Sequence, residues 1–209
     1  MRLVLVRHGE TAGQSSIRYY GATDVPLSDS GRGQMRRVAA ALAGESFAAV
    51  YSSELSRSLE GARIVSRGPA VVPVAGFNEI DFGTWEGLTE EEIAARDPAR
   101  YRQWRTRLSR HGEFRYPGGD STAAFQRRIV TALHRVLADA PAGPLLLVLH
   151  KGVIRSILAE LLRLGERERS RLAVDLASIH VVARVGGCWR AEVLDGTAPL
   201  TLDRAEDLR

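Results

Sequence analysis

Apolar residues along this chain come in short solid runs. LVLV at 3–6, FAAVY at 47–51 and LLLVL at 145–149 are apolar on both faces rather than alternating, the pattern of strands buried in a parallel sheet. Each run is followed by helical spacing. Met35, Val38, Ala39 and Leu42 share one face of a helix expected from about Gly31 to Leu42. Leu55, Leu59 and Ala62 share a face of the next, for which Ser52 and Ser53 offer N-caps. After the third run, Ile154, Ile157, Leu158, Leu161 and Leu162 fall on the i, i+3, i+4, i+7, i+8 pattern of a core-facing helix.

The remaining segments fit around that frame. VVPV at 71–74 reads as an edge strand, because its proline has no N–H to give to a ladder. Thr89 with Glu92 makes a capping box, and Asp97-Pro98 ends one helix and restarts another. The turn PGGDS precedes a helix with Phe125, Ile129, Leu133, Val136 and Leu137 inward, with Asp120 and Ser121 at its N-cap. SIHVVARV and CWRAEVL, joined by Gly186-Gly187, predict a hairpin. Strands alternating with helices predict an α/β three-layer sandwich, a mostly parallel central sheet flanked by helices, in one domain spanning 1–209.

Composition adds a few constraints. A length of 209 residues and an apolar fraction of 44% suffice for one substantial core. No run of about 18 apolar residues occurs, and the first apolar run is too short for a signal peptide's core. A cytoplasmic protein without membrane contact is expected. Cys188, the single cysteine, has no disulfide partner and no metal-ligand spacing around it, so a packing role is expected. The net charge of +4 is small, and aromatic residues are not interleaved with arginine beyond Tyr101 and Trp104, which argues against a nucleic-acid partner. Lys151 is the only lysine, so the positive charge rests on arginine, whose fork suits phosphate and carboxylate.

In a parallel α/β sheet the ligand site lies beyond the carboxyl ends of the strands. The first strand delivers Arg7-His8-Gly9, the second Ser52-Ser53 with Arg57 one turn on, and the third His150-Lys151-Gly152. Two imidazoles at equivalent strand ends, each close to a glycine that lets backbone approach, make a pair that packing alone has little reason to build. Arginines beside them would repel a cation, so an anion is the better guest and no metal or cofactor is called for. A phosphoryl group needs a nucleophile, donors on its oxygens and an acid for the leaving oxygen. Neutral imidazole can attack, and Arg7 and Arg57 can fork the oxygens. For the acid, GFNEIDFGTWEG at 76–87 offers Glu79, Asp81 and Glu86 among aromatics that would raise a carboxyl pKa. Loop geometry alone does not choose among the three.

Six stretches taken together carry a resemblance: MRLVLVRHGET, YYGATDVPLSDSGRGQ, YSSELSRSLEGA, FNEIDFGTWEG, YPGGDS and LHKGVIR. In this order, from residue 1 to about 156, the chain resembles the histidine phosphatase superfamily of phosphoglycerate-mutase-like proteins. The resemblance implies that His8 attacks phosphorus to form a phosphohistidine, that Arg7, Arg57 and His150 hold the transferred group, and that Glu79 is the proton donor. Gln14 stands where the family usually has asparagine, with a hydrogen bond to phosphate as its implied role. Lys151 stands where glycine or serine is more usual, and an outward orientation is expected for it.

The resemblance also implies a helical lid around 89–120. Of its arginines 96, 100, 102, 105, 107 and 110, one or two would meet an anionic part of the substrate. FGTWEG looks more like the phosphatase branch, so the expected activity is hydrolysis of small phosphate monoesters. A cofactor-dependent phosphoglycerate mutase and a non-catalytic binder of phosphorylated ligands are the alternatives. His111, His134 and His180 have no assigned partner, and the oligomeric state is left open, a homodimer included.

Overall fold

The computed structural model describes residues 1–66, 69–110 and 113–196, the side chains of 107–110 excepted. Its strands are β1 (Arg2–Arg7), β2 (Ala49–Ser52), β3 (Val71–Pro73), β4 (Pro144–Leu149), β5 (Ile179–Val185) and β6 (Cys188–Gly196). They form one sheet in the order β3-β2-β4-β1-β5-β6. The β1, β2, β3 and β4 pairings are parallel, and β5 and β6 are added antiparallel at one side. The sheet is therefore mixed, parallel where it is most buried.

Alternation along the central strands sorts the core into two layers. Leu3, Leu5, Leu145, Leu147 and Leu149 point to one face, where α5 (Thr122–Asp139) and α6 (Lys151–Leu162) contribute Ile129, Leu133, Ile154, Ile157 and Leu158. Val4, Val6, Leu146 and Val148 point to the other, meeting Met35 and Val38 of α1 (Asp29–Ala41) and Ala62 and Val65 of α2 (Ser56–Val65). Both faces are covered, which is why these strands read as continuous apolar runs. Helices α3 (Glu90–Arg96), α4 (Pro98–Arg110) and α7 (Glu166–Arg171) complete the α-helices among the described residues, and two 3-10 turns, Ala75–Phe77 and Gly83–Trp85, lie in the loop after β3. None is long and apolar enough to cross a membrane.

Several local expectations change. The α1 helix starts earlier than the apolar pattern suggests, because the Ser28 hydroxyl accepts from Gly31 N–H and sets the N-cap there. The second strand runs to Ser52, and α2 is capped at Leu55 without a side-chain bond, while the Ser53 hydroxyl accepts from Leu55 N–H and pairs with His150. The buried face of α2 carries Arg57, Ser58, Gly61, Ala62 and Val65, leaving Leu59 half-buried. Ser121 alone caps α5, accepting from Ala124 N–H, whereas Asp120 turns to the 76–87 loop. The Thr89–Glu92 capping box and the Asp97-Pro98 break are present, as is the β5–β6 hairpin, whose Gly186 and Gly187 both take positive φ. Cys188 is exposed on β6 rather than packed. His134 pairs with Glu160 on the surface at 3.1 Å, His180 is buried against Ser178 and the Asp195 N–H, and His111 lies outside the described residues.

Candidate active site

Two adjacent parallel strands end side by side, β1 on Arg7 opposite Leu149 of β4. This register sets His8 and His150 next to each other, with ring centroids 5.1 Å apart and an interplanar angle of 62°. The His8 backbone N–H donates to Leu149 O at 2.9 Å, so the main chain that carries the first imidazole is tied to the end of the neighbouring strand. Gly9 is required for its own close approach: a Cβ there would stand 2.5 Å from Gly31 O.

The two rings are held in different ways. His8 Nδ1 lies 2.7 Å from Gly9 O. A carbonyl only accepts, so Nδ1 carries the proton and Nε2 keeps its lone pair. His150 Nε2 lies 2.7 Å from the Ser53 hydroxyl, which itself accepts from Leu55 N–H. The hydroxyl proton has no other acceptor among the described bonds, and in the arrangement that gives it to Nε2, Nδ1 of His150 is the protonated nitrogen. Burial holds both imidazoles well below their usual range, and Arg57 adds to this at each, so both are neutral.

Arg57 is fully buried, which decides against a solvated helix position. Its terminal nitrogens donate to Thr23 O at 2.9 Å and Gly21 O at 2.7 Å, spending one edge of the fork on the 20–23 loop. Arg7 likewise gives one terminal nitrogen to Val174 O at 2.9 Å. Four buried side-chain nitrogens among the described residues have no protein partner, Trp85 Nε1 and three at this site: Arg7 Nε, Arg57 Nε and His150 Nδ1. Buried N–H groups are rarely left unpaired, because each costs about 1–3 kcal/mol of desolvation. The three site nitrogens belong to groups whose charges act on His8 or that adjoin it, so they leave acceptor-seeking positions in the same site as its free Nε2.

Of the three carboxyl groups in the 76–87 loop, burial distinguishes one. Glu79 is 8% exposed; its Oε1 accepts from Ile80 N–H at 3.0 Å and its Oε2 from Gly152 N–H at 2.9 Å. Burial raises its pKa, opposed by those two N–H donors and by Arg57 and Arg7. Glu86 instead gathers the N–H groups of Gly21, Ala22, Thr23 and Phe82, and Asp81 caps Gly83 N–H at 2.7 Å; both organise loops. Gly152 has to be glycine here, since a Cβ would sit 2.5 Å from Glu79 Oε1.

The loop carrying Glu79 is clamped from behind by Arg128 of α5. This guanidinium donates to Asn78 O at 2.7 Å and Gly76 O at 3.2 Å, and reaches Glu79 O and Asp120 Oδ2 at 3.4 Å. Sequence reasoning missed Arg128 and the pairing of Ser53 with His150. The hydroxyl at the end of β2 was the available signal for Ser53. Nothing in the sequence marked Arg128 apart from other arginines on polar helix positions.

A cleft of about 740 Å³ opens over His8, walled by Arg7, Tyr19, Glu79, Phe82, Lys151 and Asp175 among others. Lys151 is exposed, but on the cleft wall rather than facing away from the site. From the arginine-rich segment no described side chain lines the cleft; α3 presents Glu90 and Glu91 there, and Arg105 is paired with Glu90 at 3.2 Å. Gln14 is exposed and directly precedes Ser15 and Ser16, which line the cleft.

Gln14 also has a left-handed backbone, with φ at +64°. Asparagine tolerates that region better than glutamine. Gln14→Asn is expected to stabilise the fold by about 0.5 kcal/mol. The readout is a higher urea midpoint at constant m; an unchanged midpoint would show that the turn carries no strain.

The model of the histidine phosphatase superfamily (branch 1) matches residues 3–196. The chain belongs to this superfamily. A bifunctional protein of Mycobacterium tuberculosis is 35% identical over 183 residues, which are 86% of this chain and 49% of the relative. The chain thus spans about half the length of that mycobacterial protein. The adenosylcobalamin/alpha-ribazole phosphatase of Salmonella typhimurium is 32% identical over 203 residues, covering 96% of this chain and 94% of the relative. Among solved structures, the alpha-ribazole phosphatase of Shigella flexneri superposes with a TM-score of 0.82 at 27% identity, over 94% of this chain and 96% of that one.

Proposed function

We propose that the chain is a phosphatase that hydrolyses small phosphate monoesters through a phosphohistidine on His8. The observation that carries this reading is the neutral His8 with its Nε2 lone pair, beside three buried N–H groups that lack protein partners and one buried carboxyl group. Phosphoryl transfer asks for little covalent chemistry beyond position and charge, and that is the equipment present.

In the first half-reaction Nε2 of His8 attacks phosphorus and the ester P–O bond breaks. The phosphoryl oxygens accept from Arg7, Arg57 and the Nδ1–H of His150, and Glu79 in its acid form gives its proton to the leaving alkoxide. In the second, the Glu79 carboxylate takes a proton from water, the water oxygen bonds to phosphorus and the P–N bond breaks. Inorganic phosphate leaves, and His8 is again neutral. The Nδ1–H bond to Gly9 O supports the charge that develops on the ring.

The reading is tested by following inorganic phosphate from a panel of monoesters beside phosphoglycerate isomerisation. Net phosphate release from several esters is expected. Isomerised phosphoglycerate without net release would make the chain a mutase, and an unturned panel would leave a binder.

A pH profile gives a second expectation. The productive state needs His8 neutral and Glu79 protonated. His8 is held low, so it stays neutral well into the acid range, while Glu79 is held above its ordinary value and loses its proton only as pH rises through that raised value. An acidic optimum for kcat/KM is expected, with the alkaline limb set by Glu79. An activity that climbs steadily from acid to alkaline pH would contradict the assignment.

A further inference from the structure

A second cavity of about 380 Å³ adjoins the cleft and shares Tyr19, Glu79, Phe82 and Lys151 with it. Its further walls differ sharply in chemistry. One is aromatic, built from Tyr19, Phe82, Trp104, Tyr116 and Phe125, with Phe82 edge-on to Tyr19 at 5.3 Å and to Tyr116 at 5.0 Å between ring centroids. The other is charged, with three cations, Lys151 and Arg155 of α6 and Arg169 of α7, and the carboxylate of Glu166.

The three cations are not equally committed. Arg169 is ion-paired with Glu166, and Arg155 donates through both Nε and a terminal nitrogen to Leu172 O, at 2.9 and 2.6 Å. Lys151 makes no hydrogen bond or ion pair with any described residue. It directly precedes Gly152, whose N–H holds Glu79 Oε2. Lys151 therefore lines both cavities, next in sequence to the residue that holds Glu79, and the carboxylates that act on its ammonium are those of Asp175 and Asp195.

We propose that this second cavity is the leaving-group subsite, and that it selects monoesters whose alcohol has an aromatic or similarly planar apolar body bearing its own carboxylate or other anionic group, bound by Lys151. The inference rests on the phosphatase reading. The leaving oxygen is protonated at Glu79, where the two cavities meet, so the alcohol extends from that point into the space between the aromatic wall and Lys151. The apolar body gains burial against the rings. The ammonium supplies a charge-assisted bond that a neutral alcohol cannot use. Arg7 is directed to the transferred group, which leaves Lys151 for the second anion.

The test compares two esters of nearly equal size and leaving-group basicity, 4-(carboxymethyl)phenyl phosphate and its primary amide 4-(carbamoylmethyl)phenyl phosphate. The unmodified protein is expected to favour the carboxylate roughly tenfold in kcat/KM. Lys151→Gln is expected to bring that ratio close to one, and Lys151→Arg to retain most of it. A ratio near one in the unmodified protein, or a preference that survives Lys151→Gln, overturns the subsite while leaving the phosphatase reading in place. Turnover of neither ester overturns both.

Discussion

Replacing His8 with alanine is expected to lower the turnover of phosphate monoesters by on the order of 10⁴-fold or more. The size of the loss follows from the role. The Arg7, Arg57 and His150 donors can still hold a phosphate group, but no other described side chain here combines an unprotonated lone pair with burial beside them. His150 does not substitute, because its Nε2 is committed to the Ser53 hydroxyl. Rapid quenching of the unmodified protein with substrate is expected to trap an acid-labile, base-stable phosphoenzyme that His8→Ala lacks. A variant that kept full turnover, or that still trapped such a phosphoenzyme, would remove the covalent mechanism.

Glu79→Gln is the second large expectation, and its signature lies in how the loss depends on the leaving group. An alkyl ester departs as a strongly basic alkoxide and needs the proton, so a loss of roughly 10²–10⁴-fold is expected. A nitrophenolate leaves without one, and its release in the pre-steady-state burst is expected to fall by less than about tenfold. Glutamine also sets an NH2 group against one of the N–H donors that Glu79 now accepts, from Ile80 or Gly152, so some general loss accompanies the specific one. The alkaline limb of the pH profile should move or vanish in the same variant. Equal losses for both classes of ester would assign the carboxyl a positioning role instead of an acid's.

Much of the framework was legible because it is written locally. Solid apolar runs mark β1, β2 and β4, and the capping box at Thr89 and the paired glycines of the β5–β6 hairpin appear where the residues place them. The juxtaposition of His8 and His150 was legible too, since equivalent ends of parallel strands must come together at one sheet edge. Ser53 was read only as a helix cap because its local bond, accepting from Leu55 N–H, fits that pattern, whereas its second partner is an imidazole 97 residues away that no local pattern shows. Lys151 was expected to face away from the site, and the geometry of the α6 N-terminus places it on the cleft wall instead.

The sequence by itself determined an α/β sheet with VRHG and LHKG at adjoining strand ends, and a short loop holding three carboxyl groups among aromatics. Hydrophobic periodicity and strand-end chemistry are properties of neighbouring residues, so they can be read without a fold. Tertiary structure alone decided which carboxyl is buried, which arginine nitrogens are already spent and which are not, and that Lys151 stands uncommitted where two cavities meet. The first two depend on partners far along the chain: Gly152 for Glu79, the 20–23 loop for Arg57 and Val174 for Arg7. Desolvation and hydrogen bonding set the protonation states on which the proposed chemistry rests, and both are fixed by that distant packing.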